Sequence, residues 1–114
     1  MAVFQMNLAP LPYKQITEGK KTIELRLLDE RRKDLRVGDF IEFTNRDDPT
    51  KRFTARVEAL YVFDSFDDLY KSLPLIDCGY SEKELPYASP RDMDQYYTEE
   101  QQKTYKALGI RIAL

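Results

Sequence analysis

Residues 52–63, RFTARVEALYVF, constrain this chain more than any other segment. Phe53, Ala55, Val57, Ala59, Tyr61 and Phe63 fall at every second position, the period of a strand with one buried face. The positions between them begin as Arg52, Thr54, Arg56 and Glu58 and end as Leu60 and Val62. A strand whose polar face turns apolar halfway along passes from a solvated edge into a closed barrel.

Other segments supply its partners. Residues 2–8, AVFQMNL, and TIELRLL at 22–28 read as strands, the second with Ile23, Leu25 and Leu27 alternating with Thr22, Glu24 and Arg26. FIEFT follows a Val37-Gly38-Asp39 turn, and GIRIAL closes the chain with Ile110, Ile112 and Leu114 on one face. Pro10 and Pro12 are expected to break regular structure before a short helix from Tyr13 that stops at Gly19. DERRKDLR reads as an exposed turn capped by Asp29, and NRDDPTK as a turn cluster. SFDDLYKSL reads as a helix capped by Ser65 and ended by Pro74. Residues 75–95 are loop-rich, with a helical turn at SEKEL, and YYTEEQQKTYKAL predicts a helix over 96–108 capped by Thr98.

The order predicts an α+β chain: a small mixed β-barrel with flanking helices, one domain over residues 1–114. Consecutive strands should pair antiparallel and the terminal strands close the sheet. The apolar faces of 22–28, 39–44, 52–63 and 109–114 should converge on one core holding Ile23, Leu25, Ile41, Phe43, Val57 and Ile112.

The composition removes whole classes of chemistry. There is no histidine, so no Ser-His or Cys-His nucleophile and no imidazole zinc site. The single cysteine, Cys78, cannot form an internal disulfide, which fits a cytoplasmic setting. No signal peptide and no membrane span is read, and no metal or cofactor site. The net charge of −2 divides unevenly: residues 1–60 hold 12 Lys and Arg against 10 Asp and Glu, and residues 61–114 hold 6 against 10. A strongly basic nucleic-acid module is not indicated, whereas a local basic patch in the first half remains open.

The stretch GKKTIELRLLDERRKDLRVGDFIEF carries a Gly-x-Lys-Thr-Ile-Glu-x-Arg strand followed by Gly38-Asp39. It resembles the ASCH family, whose barrel is related to the PUA domain of RNA-modification proteins. The resemblance spans nearly the whole chain and implies a cleft beside the 20–28 strand suited to RNA or a nucleoside. Members of that family include RNA-binding and coactivator-associated domains, a ribonuclease and a bacterial amidohydrolase of acetylated cytidine. In the amidohydrolase a lysine, a threonine and a carboxylate do the work. Lys21 matches the lysine, but Glu24 occupies the threonine position, and Asp77 is only a loose match to the carboxylate. The resemblance therefore favours binding over deacylation, since a carboxylate is a poor substitute for an alkoxide nucleophile.

The expected ligand-binding residues are Lys20, Lys21, Thr22, Glu24, Arg26, Arg31 and Arg32, with Lys21 and Glu24 catalytic only if the protein is an enzyme. A lysine at a cleft rim holds phosphate, a glutamate accepts from exocyclic amines, and arginines contact phosphate. Each also has a plainer reading as a solvated or ion-paired surface charge. Tyr96, Tyr97 and Tyr105 either stack on bases or anchor the last helix. Cys78 reads as an idle thiol and Gly38-Asp39 as a turn, while Asp67, Asp68, Asp92 and Asp94 lie on exposed-looking acidic segments.

Overall fold

The computed structural model describes residues 2–114. Five strands form one curled sheet in the order β1-β3-β4-β5-β2. They are β1 (Val3–Leu8), β2 (Ile23–Leu28), β3 (Phe40–Asn45), β4 (Asp48–Phe63) and β5 (Lys106–Ala113). Helix α1 (Pro10–Thr17) joins β1 to β2, α2 (Phe66–Ser72) follows β4, and α3 (Glu99–Thr104) precedes β5. Two 3₁₀ turns, Leu85–Tyr87 and Pro90–Gln95, lie in the long α2–α3 connection. The result is an α+β half-barrel with flanking helices. No helix among the described residues is long and apolar enough to cross a membrane.

The terminal strands do not close the sheet. β5 runs between β4 and β2, antiparallel to both, and β1 pairs parallel with β3. The edges are therefore β1 and β2. The parallel pair arises because β1 reaches β3 only after the whole α1–β2 excursion, which no hairpin turn can bridge.

The alternation in 52–63 is real but changes parity. A bulge between Val57 and Ala59 inserts Glu58, so that Val57 pairs with Ile112 and Leu60 with Ile110. Phe53, Ala55, Val57 and Leu60 face the inside of the curl, whereas Tyr61 and Phe63 pack on its outside. The turn from polar to apolar along this strand is thus the mark of a bulge.

The core is consequently two clusters rather than one. Ile41, Phe43, Val57 and Ile112 lie inside with Met6, Leu8 and Ile16 of α1. Ile23 and Leu25 lie on the opposite face, under Phe66 and Leu69 of α2. Gly109 makes that second layer possible, because a Cβ there would come within 2.8 Å of Leu73 Cδ1.

Three local boundaries differ from expectation. Pro10 starts α1 rather than breaking structure, its missing N–H costing nothing at a first helical position. The β3–β4 connection is a tight turn at Arg46-Asp47, and β4 already begins at Asp48. Helix α3 has the expected Thr98 cap and a capping box with Gln101, but it stops at Thr104. Lys106, Ala107 and Leu108 belong to β5, where Ala107 and Leu108 are fully buried by cross-strand packing.

Candidate functional site

The chain from α1 into β2 is fastened by backbone hydrogen bonds before β2 begins. Gly19 takes a positive φ of 77° past the end of α1, and Lys20 N and Lys21 N both donate to Gln15 O. Thr22 N and Ile23 N then both donate to Asp77 O. Lys21 therefore lies outside the regular strand, and its side chain turns to meet Glu24 despite the odd spacing.

Within β2, Glu24 stands opposite Ile110 and Arg26 opposite Leu108, so both polar side chains share the inner face of the curl with buried β5 residues. Glu24 is only 4% exposed. Lys21 Nζ lies 2.8 Å from its Oε1, and Arg26 Nε donates to its Oε2 at 2.7 Å. Burial alone would push this carboxyl up, but the charges and hydrogen bonds of Lys21 and Arg26 prevail and hold it at about 2. Arg26 also donates from Nη2 to Asn7 O of β1 at 2.6 Å. One guanidinium thus ties the two sheet edges together across the mouth of the curl.

This ionic floor opens into a cavity of about 540 Å³. It is lined by the charged residues Lys21, Glu24, Arg26, Arg32, Arg46, Glu84 and Asp92 and by Tyr70, Tyr80, Tyr96 and Tyr97. Arg32 donates to Asp29 Oδ2 at 2.6 Å, while its buried Nε has no hydrogen-bond partner among the described residues. Gly79 sits at the cavity edge with φ 109°, and a Cβ there would lie 3.0 Å from Gln15 Oε1 and 3.2 Å from Lys21 Cδ. The absent side chain leaves the room that Lys21 occupies.

Of the residues expected from the sequence, Lys21, Glu24, Arg26 and Arg32 come together in this cavity. Lys20 is exposed and pairs loosely with Glu18 at 3.5 Å. Thr22 serves the backbone network, also accepting from Ile112 N, and does not line the cavity. Arg31 is exposed beside a smaller hollow that it shares with Arg26, Arg32 and β1. Asp77 is not a cleft carboxylate: its carboxylate faces Arg111 at 3.9 Å, and its carbonyl holds the start of β2.

Tyr96 is exposed at the cavity mouth, whereas Tyr97 stacks on Phe66 at 6.2 Å between centroids. Tyr105 packs on the outer core only. Cys78 is buried against the cavity, and burial pushes its thiol up to about 11, away from any nucleophilic role at neutral pH.

Sequence reasoning passed over Tyr70, Tyr80 and Asp92. Asp92 is not simply an exposed acid: it accepts from Tyr80 Oη at 2.8 Å and completes a capping box with Ser89. The Ser-Pro-Arg-Asp spacing at 89–92 carries that second signal. No group of three or more His, Cys, Asp or Glu side chains is placed to hold a metal among the described residues.

A family model described as the ASCH domain matches residues 6–114 of this chain. The hypothetical protein PH0355 is similar to it over 98% of this chain and 97% of its own, at 28% identity with a TM-score of 0.78. Protein PF0455 from Pyrococcus furiosus is also 28% identical, over 96% of this chain and 94% of its own, with a TM-score of 0.68. The ASCH protein from Zymomonas mobilis, at 24% identity, shares the fold over 98% of this chain and 67% of its own, with a TM-score of 0.64. No curated protein matches in sequence.

Proposed function

The chain belongs to the ASCH domain family, and from that premise we propose that its cleft binds a nucleotide, free or within single-stranded RNA. The observation that carries this reading is the make-up of the cavity wall. Cations from Lys21, Arg26 and Arg32 line the same cavity as Tyr70, Tyr80, Tyr96 and Tyr97. Phosphate is held by guanidinium and ammonium groups, and a base finds a π-face on tyrosine. Arg32 adds its charge to the same wall, held in place by Asp29 at 2.6 Å.

Binding is favoured over catalysis by the state of the candidate groups. Glu24 titrates at about 2 and both its oxygens are engaged, so it is neither a free base nor an acid near neutral pH. Acid–base work by Glu24 itself would need one of these ion pairs to break. A cytoplasmic setting belongs to the same reading: Cys78 is free and buried and requires no oxidising compartment.

The test is titration of the purified protein with labelled single-stranded RNA and with mononucleotides, alongside turnover of acetylated cytidine. Lys21→Met should weaken binding by about tenfold or more, the loss of a charge-assisted contact. Robust turnover by the unaltered protein that survives Lys21→Met would overturn both the role of Lys21 and the preference for binding.

A further inference from the structure

The tyrosine-lined part of the cavity contains a hydrogen-bond chain whose direction can be worked out from proton counting. Tyr70 Oη and Tyr80 Oη lie 2.7 Å apart, and Tyr80 Oη donates to Asp92 Oδ2 at 2.8 Å. The same Oδ2 accepts from Ser89 N at 3.2 Å. An ionised carboxylate only accepts, and each phenol has one proton to give. Tyr80 gives its proton to Asp92. The Tyr70–Tyr80 contact must then use the proton of Tyr70.

Both phenolic protons are committed within the wall. Tyr70 Oη keeps only lone pairs, so toward the cavity it accepts and cannot donate. Burial pushes the Tyr70 hydroxyl up to about 12, and burial together with its bonds to Tyr70 and Asp92 pushes Tyr80 higher still. The arrangement therefore persists across the physiological pH range.

We infer that this wall selects its ligand by a hydrogen-bond donor on the ring: a nucleobase bearing an exocyclic amino group in preference to one bearing an oxo group at the same position. The inference rests on the nucleotide-binding reading, in which Lys21, Arg26 and Arg32 take the phosphate and leave the ring to the tyrosines. Tyr70 is 9% exposed, so a ring oxygen brought against it would set two acceptors face to face away from water. Each would lose its hydration without gaining a partner. Sites that fix polarity in this way discriminate far better than sites that sense only size.

The experiment measures affinity by calorimetry for two matched pairs, CMP with UMP and AMP with IMP, which exchange the exocyclic amino for oxo, and the adjacent ring acceptor for an N–H donor, on an unchanged sugar and phosphate. In the unaltered protein the amino member should bind about tenfold more tightly in one or both pairs. Tyr70→Phe should bring that ratio to within about twofold, chiefly by weakening the amino member. Tyr80→Phe leaves Tyr70 intact but frees its proton to turn toward the ligand, so the ratio should shrink or reverse. Tyrosines that merely pack would weaken both members equally in both variants and leave the ratio unchanged, which would overturn the inference. Equal affinities within both pairs, or tighter binding of the oxo member by the unaltered protein, would also overturn it while the nucleotide reading stands. Failure of all four nucleotides to bind would overturn the two together.

Discussion

Glu24→Gln converts the ionic floor of the cavity into a measurable quantity. The amide keeps the shape of the side chain and stands in for its protonated form. Glu24 titrates at about 2 in the folded chain against an ordinary 4.5. At about 1.4 kcal/mol for each tenfold, that gap corresponds to about 3 kcal/mol of stability contributed by ionised Glu24. The folded value lies below the unfolded one. The contribution is therefore complete above about pH 5 and fades as pH falls toward 2, with about 2 kcal/mol left at pH 3.5 and about 1 kcal/mol at pH 2.5. The same size is expected from geometry, because removing one member of a buried ion pair strands Lys21 and Arg26 and costs roughly 3–5 kcal/mol. Urea unfolding of both proteins at neutral, mildly acidic and strongly acidic pH reads the difference directly. The variant should be about 3 kcal/mol less stable at pH 7, and the two curves should converge in acid. A difference below about 1 kcal/mol at pH 7, or one that does not change with pH, would refute the picture of a charged, load-sharing triad.

Ile112→Ala, in the inner cluster, should cost roughly 2–5 kcal/mol by the same unfolding assay, with the lower half expected because the site keeps slight exposure. Replacing Arg31 and Arg32 together by alanine should flatten the log–log salt dependence of RNA affinity by about one to two; an unchanged slope would show that neither contacts phosphate. Gly79→Ala should weaken nucleotide binding more than a typical surface change, since its positive φ is strained for alanine and its Cβ would press on Gln15 and Lys21; nucleotide affinity equal to that of the unaltered protein would show that the cavity edge has slack. Glu24→Thr restores the residue type of the amidohydrolase pattern, yet only a trace of deacylation is expected, because Asp77 faces Arg111 instead of the cleft.

Much of the fold was readable because strand period, caps and turn glycines are local. Ser65 and Thr98 cap the helices expected of them, and the five strand segments all exist. The failures share a cause, which is tertiary context. Lys106, Ala107 and Leu108 are good helix formers, but β5 is flanked by strands on both sides, and pairing outweighs a propensity of a few tenths of a kcal/mol per residue. The bulge at Glu58 leaves a trace in the sequence, the change from polar to apolar at Leu60 and Val62, but a strand entering a barrel leaves the same trace. In the site, Glu24 and Arg26 were visible as a polar strand face, and Lys21 as its approach. That this face turns inward was not visible, because it depends on the pairing that sets Glu24 opposite Ile110 and Arg26 opposite Leu108. The Tyr70–Tyr80–Asp92 chain joins helix α2 to a loop-rich stretch whose spacing has no period to read.

The sheet order also has a consequence for how the cavity comes into being. β2, which carries Glu24 and Arg26, has β5 as its strand neighbour in the sheet, with Glu24 opposite Ile110. β1, β3 and β4 are joined to one another by the parallel pair and the tight turn, and can assemble while β5 is still absent. As the polypeptide leaves the ribosome, β2 emerges early and then waits, unpaired, until residues 106–113 arrive to seat it. The ion triad and the clasp onto Asn7 therefore depend on β5, and a chain stalled short of residues 106–113 would carry the binding residues in full while having no strand to seat them.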